Sequence, residues 1–181
     1  MPTAKTIGPA EIEAAIERLA GAIRRRHGAV QPLLLLGIAN GGVELARRLA
    51  LRLGARFGTL DISFHRDDIG RHPIPKEFAP TQIPADVTGA TVVLVDDVLF
   101  TGRTVKAALD ELFDHGRPAK VELAVLVDRG GRLMPVAADY AGLALTPGAG
   151  EKVVVALAAN TPRKDTIRLE PAKSKIATPN P

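Results

Sequence analysis

Two adjacent carboxylates, Asp96 and Asp97, close the apolar run Val92, Val93, Leu94, Val95, and the turn Thr101, Gly102, Arg103, Thr104 follows them. Beyond that turn Val105, Ala108, Leu109 and Leu112 recur at helical spacing. Small residues ahead of a helix leave backbone N–H groups free, and the positive end of the helix dipole favours an anion there. The Thr101 and Thr104 hydroxyls add donors, so this turn suits a phosphate. Two neighbouring acids cannot serve a phosphate. They suit hydroxyl groups that donate hydrogen bonds, or a divalent cation that takes oxygen ligands. Acid pair and phosphate turn together point to a phosphorylated sugar.

Such a pair must be carried to a sheet edge. The run before Asp96 reads as a strand buried on both faces, which belongs in a parallel sheet. Residues 33–38, LLLLGI, form a similar run. The turn Ala39, Asn40, Gly41, Gly42 leads from it into a helix over 43–53 that Gly54 stops. This second strand, turn and helix is again an anion-binding order. It has neither the glycine spacing of a dinucleotide fingerprint nor the Lys-Ser/Thr of a Walker loop. Residues 121–127 form another buried run and deliver Asp128, Arg129 and Gly130 to the same edge. Upstream, Ile12, Ile16, Leu19 and Ile23 predict a helix that Arg24, Arg25 and Arg26 close. Residues 59–64 alternate as a strand. Residues 65–89, with four prolines, read as a long loop that offers Arg66, Arg71 and Lys76 to phosphate. Short strands are expected at 138–142 and 153–158, and a loose tail from 160 with one strand at 166–169.

Composition narrows the classes. The chain has 181 residues, 46% of them hydrophobic, enough for one α/β domain with its own core. No apolar run reaches the roughly 20 residues that span a bilayer. There is no cysteine, which excludes disulfides and thiolate chemistry and fits the cytoplasm. His27, His65, His72 and His115 show no metal-ligand spacing, and no Ser/His/Asp set stands out. The net charge of +4 permits phosphate partners without requiring them. Receiver domains also follow an apolar strand with two acids, but after their first strand; here the pair follows the third.

The run VVLVDDVLFTGRT at 92–104, with DISFHRDD at 61–68, GRPAKVELAVLVDRGGR at 116–132 and ADYAG at 138–142, resembles the type I phosphoribosyltransferases. The likeness extends over roughly residues 10–158. Within that family it is closer to the bacterial bifunctional group that joins uracil phosphoribosyl transfer to attenuation of the pyrimidine operon. The resemblance implies an α/β fold with a central, mainly parallel sheet flanked by helices, and a small hood subdomain. It implies one domain over 1–158, with a hood from the N-terminal segment and about 128–158, a flexible lid at 65–89 and a partly disordered tail at 159–181.

The resemblance also implies chemistry: uracil and phosphoribosyl diphosphate (PRPP) give UMP and diphosphate, with Mg2+ accompanying PRPP. Asn40 and Gly41 inherit diphosphate binding. Asp96 and Asp97 inherit the ribose hydroxyls, directly or through the metal, and with Arg66 make up the catalytic set. Val98, Leu99 and Phe100 inherit substrate binding, Thr101, Gly102, Arg103 and Thr104 anchor the 5′-phosphate, Arg129 is a substrate-site residue, and backbone groups near Val153 read the uracil edge. Purine-salvage relatives often carry an acid where this chain has Phe100, so a pyrimidine is expected. Many relatives carry Arg where Gly41 stands.

For leader RNA, Arg18 and Arg132 are the candidate contacts. RNA-binding relatives usually have basic or hydroxyl residues where this chain has Glu17, Gly21, Gly131, Ala137 and Leu143. The alternatives are a regulator of this fold with little catalysis, and a transferase for a purine or orotate. A cytoplasmic homodimer or larger homo-oligomer without membrane contact is expected.

Overall fold

The apolar runs pair in parallel, and everything else is arranged around them. The computed structural model describes residues 6–28, 33–66 and 80–172. In chain order its elements are β1 (Thr6–Ile7), α1 (Pro9–His27), β2 (Leu33–Ile38), α2 (Val43–Leu53), β3 (Arg56–Leu60), β4 (Thr91–Leu99), α3 (Arg103–Asp114), β5 (Lys120–Asp128), β6 (Tyr140–Ala144), β7 (Glu151–Ala156), a 3-10 turn (Pro162–Lys164) and β8 (Thr166–Pro171). A five-stranded sheet has the order β3-β2-β4-β5-β6, all its pairs parallel. A three-stranded antiparallel sheet, β1-β8-β7, forms the hood.

Alternation along the strands splits the core in two. Leu33 and Leu35 of β2 and Val93 and Val95 of β4 face α1 and α2, where Ile12, Ile16, Leu19, Leu45 and Leu49 bury against them. Leu34, Leu36 and Ile38 of β2 and Val92 and Leu94 of β4 face α3, packing on Val105, Ala108 and Leu112. Each such leucine, taken wholly from water, contributes about 1.5–3 kcal/mol. α1 has the expected form: Pro9 lies in its first turn, and Gly28 at φ 63° turns its N–H back to the Arg24 carbonyl at 2.8 Å.

Pairing moves several edges from their expected places. The strand expected at 59–64 is β3, at 56–60, because its ladder with β2 runs from Leu34↔Arg56 to Ile38↔Leu60 and ends where β2 ends. β4 does not stop before the acids. It runs on through Asp96 and Asp97 to Leu99, held by β5 in register up to Leu99↔Asp128. β6 joins the main sheet beside β5 rather than the hood.

The hood instead recruits β8, from beyond the expected domain boundary at 158. The reason is a buried ion pair: Arg48 is 4% exposed and Asp165 1%. Arg48 donates to both Asp165 oxygens at 2.5 and 3.2 Å, to Glu44 at 2.7 Å and to the Ala158 carbonyl at 2.8 Å. Asp165 accepts the Ala158 N–H at 2.8 Å, and Ile167 is buried beside it. Residues 158–167 are thereby fastened to α2. Of the expected tail, residues 173–181 lie outside the described residues, as do Arg71, His72 and Lys76.

Candidate active site

The strand order places the ligand crevice. α2 leads from β2 outward to β3, whereas α3 leads from β4 the other way to β5. The turns after β2 and β4 therefore diverge, and an open α/β sheet binds its ligands where they part. Asp96 and Asp97 stand at that point.

The β2–α2 turn is pressed against the acids. A Cβ on Gly42 would lie 2.0 Å from the Val95 carbonyl oxygen, and one on Gly41 would lie 2.7 Å from the Asp97 carboxylate. Gly41 thus has a local reason: any side chain at 41 would displace Asp97. The Ala39–Asn40 peptide in this turn is cis.

Asp96 is 6% exposed, and its Oδ1 accepts the N–H of Asp97 at 2.9 Å. Burial first, and the neighbouring Asp97 charge second, hold the Asp96 carboxyl well above the usual range. Burial also raises Asp97, although backbone N–H groups and Asp96 pull against it. Among the described residues, no Lys, Arg or His is a cause of either shift. Two hard oxygen donors side by side fit a hard divalent cation or a ring of hydroxyl donors.

The turn after β4 leads directly into α3. Gly102, at φ 95°, caps α3 with no side-chain bond, and the helix has no acid in its first turn. The Lys106 N–H reaches the Gly102 carbonyl at 3.0 Å, and the N–H groups before it lie outside the helical ladder. The Arg103 N–H reaches Thr101 Oγ1 at 3.3 Å. Thr104 and the Arg103 side chain are exposed.

A third loop, at 128–136, clamps this turn from the side. The N–H groups of Leu133 and Met134 both reach the Thr101 carbonyl at 3.0 Å. Arg132 donates to the carbonyl of Phe100 at 2.8 Å and to Asp128 at 2.6 Å. Arg129 lays its guanidinium over the Phe100 ring, 3.8 Å from the centroid. Gly131, at φ 75°, comes so close that a Cβ there would lie 2.6 Å from the ring. Burial pushes the Asp128 carboxyl up, but Arg132 and the Gly130 N–H outweigh it and hold it below its ordinary value.

The residues expected from sequence fall into three groups. Asn40, Gly41, Asp96, Asp97 and the turn 100–104 converge on the crevice, with Arg129 behind Phe100. Leu99 is 2% exposed, so only its backbone faces this region, where its carbonyl accepts the Arg129 N–H at 3.1 Å. Val98 and Val153 pack against the α1 side of the core. Val153 sits on β7, the outer strand of the hood. The bond from the Ala172 N–H to the Gly150 carbonyl sets the alternation of the β7–β8 ladder, which turns the N–H and C=O of Val153 to the free edge. Arg66 is exposed, the last described residue before 67–79.

The two arginines expected to meet RNA are both engaged within the fold. Arg18 donates to the Gly142 carbonyl at 2.9 Å, and Arg132 is committed as above. The positioning role of Arg132 was legible only as an Asp128–Arg132 pair four residues apart around two glycines.

Residues 5–156 match the family model described as phosphoribosyl transferase domain. The chain belongs to the phosphoribosyl transferase family. Among curated relatives of this phosphoribosyl transferase, Bifunctional protein PyrR of Chloroflexus aurantiacus is 48% identical over 154 residues, covering 81% of this chain and 84% of that one. Bifunctional protein PyrR of Streptomyces coelicolor is 48% identical over 169 residues, covering 90% and 86%. The fold is shared with a hypoxanthine phosphoribosyltransferase of Staphylococcus aureus, at a TM-score of 0.64 and 21% identity, covering 85% of this chain and 82% of that one. Among the described residues, no helix of this phosphoribosyl transferase is long and apolar enough to cross a membrane.

Proposed function

We propose that this phosphoribosyl transferase makes UMP and diphosphate from uracil and PRPP. Uracil N1 bonds to the ribose C1 as the C1–O bond to diphosphate breaks, and the N1 proton passes to solvent. Asp96 and Asp97 accept hydrogen bonds from the ribose hydroxyls and are the residues that would hold Mg2+, which would supply positive charge for the departing diphosphate. The turn 101–104 fixes the 5′-phosphate with N–H groups and hydroxyls, so the sugar is anchored at both ends. The β2–α2 turn, with Asn40 and Gly41, receives the diphosphate on backbone groups, and Arg66 approaches from the loop side. Catalysis rests on positioning and charge stabilisation.

Phe100 carries the choice of base. It lies between the acid pair and the phosphate turn, braced by Arg129, and has no proton to give to a purine nitrogen. The free edge of β7 at Val153 offers a C=O and an N–H, which suit the alternating groups of a pyrimidine. A nucleotide-formation assay with uracil, hypoxanthine, guanine and orotate side by side tests this. Uracil is expected to give the highest kcat/KM; a higher value for another base would replace the assignment.

A second reading, UMP-responsive binding of pyrimidine leader RNA, draws support from the word bifunctional in the relatives' name. Arg18 and Arg25, seven residues apart on α1, share an exposed face. A gel shift with leader RNA, with and without UMP, is expected to show a UMP-dependent complex that salt weakens.

A further inference from the structure

We propose that His65, Glu111 and Asp114 form a site for a Zn2+ ion, at the far end of α3 from the phosphate turn. His65 Nε2 lies 3.2 Å from Glu111 Oε2 and 3.2 Å from Asp114 Oδ2. The three ligand atoms all lie within 4.8 Å of one another. One ring N–H shared between two oxygens makes only weak bonds, and 3.2 Å is longer than the roughly 2.7–2.9 Å of a charge-assisted hydrogen bond. It is close to the edge of about 3.3 Å in a tetrahedron with zinc bonds of about 2.0–2.1 Å. Imidazole with two carboxylates is a borderline donor set, suited to zinc rather than to magnesium.

The surroundings orient these ligands. The other oxygen of Glu111, Oε1, accepts from Thr81 Oγ1 at 2.5 Å and lies 3.1 Å from His115 Nε2. That leaves Oε2 to face the ion, as outer partners do for metal-bound carboxylates. The backbone N–H of His65 is tied to the Ile62 carbonyl at 3.0 Å, and Asp61 Oδ1 accepts the Ser63 N–H at 2.9 Å, so the turn presenting the imidazole is fixed. Thr81 also accepts the Asp61 N–H at 2.9 Å. Glu111 therefore touches the chain on both sides of residues 67–79, and a bound ion would fasten that junction to α3. The side chains are 26% exposed for His65, 14% for Glu111 and 68% for Asp114, so solvent supplies the remaining position.

Zinc titration of the full chain, without PRPP or Mg2+ and followed by calorimetry and by melting temperature, tests the proposal. The intact chain is expected to bind one equivalent of Zn2+ and to melt higher with it. H65A and the surface change D114N are each expected to weaken binding roughly tenfold to a hundredfold and to lose the thermal shift. H27A, in a cluster already filled by cations, is expected to bind as the intact chain does. No saturable zinc binding, or equal binding by the intact chain and both ligand variants, would overturn it. Equal binding would place the ion elsewhere, at Asp96 and Asp97 for example. Neither result touches the transferase reading.

Discussion

Asp96 at the carboxyl end of β4 and Glu122 near the amino end of β5 are equally hidden, 6% and 2% exposed, yet they are held in opposite ways. Burial raises both carboxyls. For Glu122 that penalty is overcome by Lys120 at 2.6 Å, Tyr140 OH at 2.7 Å and His27 at 2.7 Å, with Arg26 at 3.1 Å, and its pKa falls to about 2. Among the described residues Asp96 is met by a backbone N–H and a second acid, and its pKa rises. A buried charge with its partners supplied is part of the fold. One whose partners must come from outside is a binding site.

Substituting both regions sharpens this contrast. The largest effect is expected from Asp96→Asn with Asp97→Asn, which should cut nucleotide formation roughly a thousandfold or more while the protein stays folded, as kinetics and circular dichroism would show. Glu122→Gln should do the reverse, costing roughly 1.5–3 kcal/mol in denaturant melts, because the buried Tyr140 hydroxyl and His27 lose a charged acceptor, with kcat nearly unchanged below the transition.

The smallest effect is in the pH dependence of melting, and its sign differs between the two. The Glu122 pKa lies below its ordinary 4.5 in the folded chain, so its stabilisation is full above that value and is lost as pH falls toward about 2. The Asp96 pKa is raised, so the folded chain holds its proton longer than the unfolded one, and stability is lost as pH rises from 3.8 toward the raised value. Asp96→Asn alone should therefore melt higher at pH 7, by roughly 2–4 °C for each kcal/mol relieved.

Local pattern made half of this readable. The runs at 33–38 and 92–95, the helix stopped by Gly54 and the order of acids, small turn and helix all depend on neighbours in sequence. What the pattern concealed was set by distant partners. β4 runs past its acids because β5 pairs with Asp96, Val98 and Leu99, and β3 ends where β2 ends. Asp165 folds what reads as tail because Arg48 waits for it 117 residues away. Phe100 reads as a free stacking surface, yet Arg129 already covers one face. The four histidines show no ligand spacing along the chain, although folding brings His65 against Glu111 and Asp114.

Calorimetric titration of PRPP with Mg2+ into the intact chain and into the Asp96→Asn, Asp97→Asn variant tests the central claim most directly. Saturable binding by the intact chain, lost in a variant that melts no lower, is the predicted result. Unchanged affinity in that variant would mean that the two acids are not what grips the sugar.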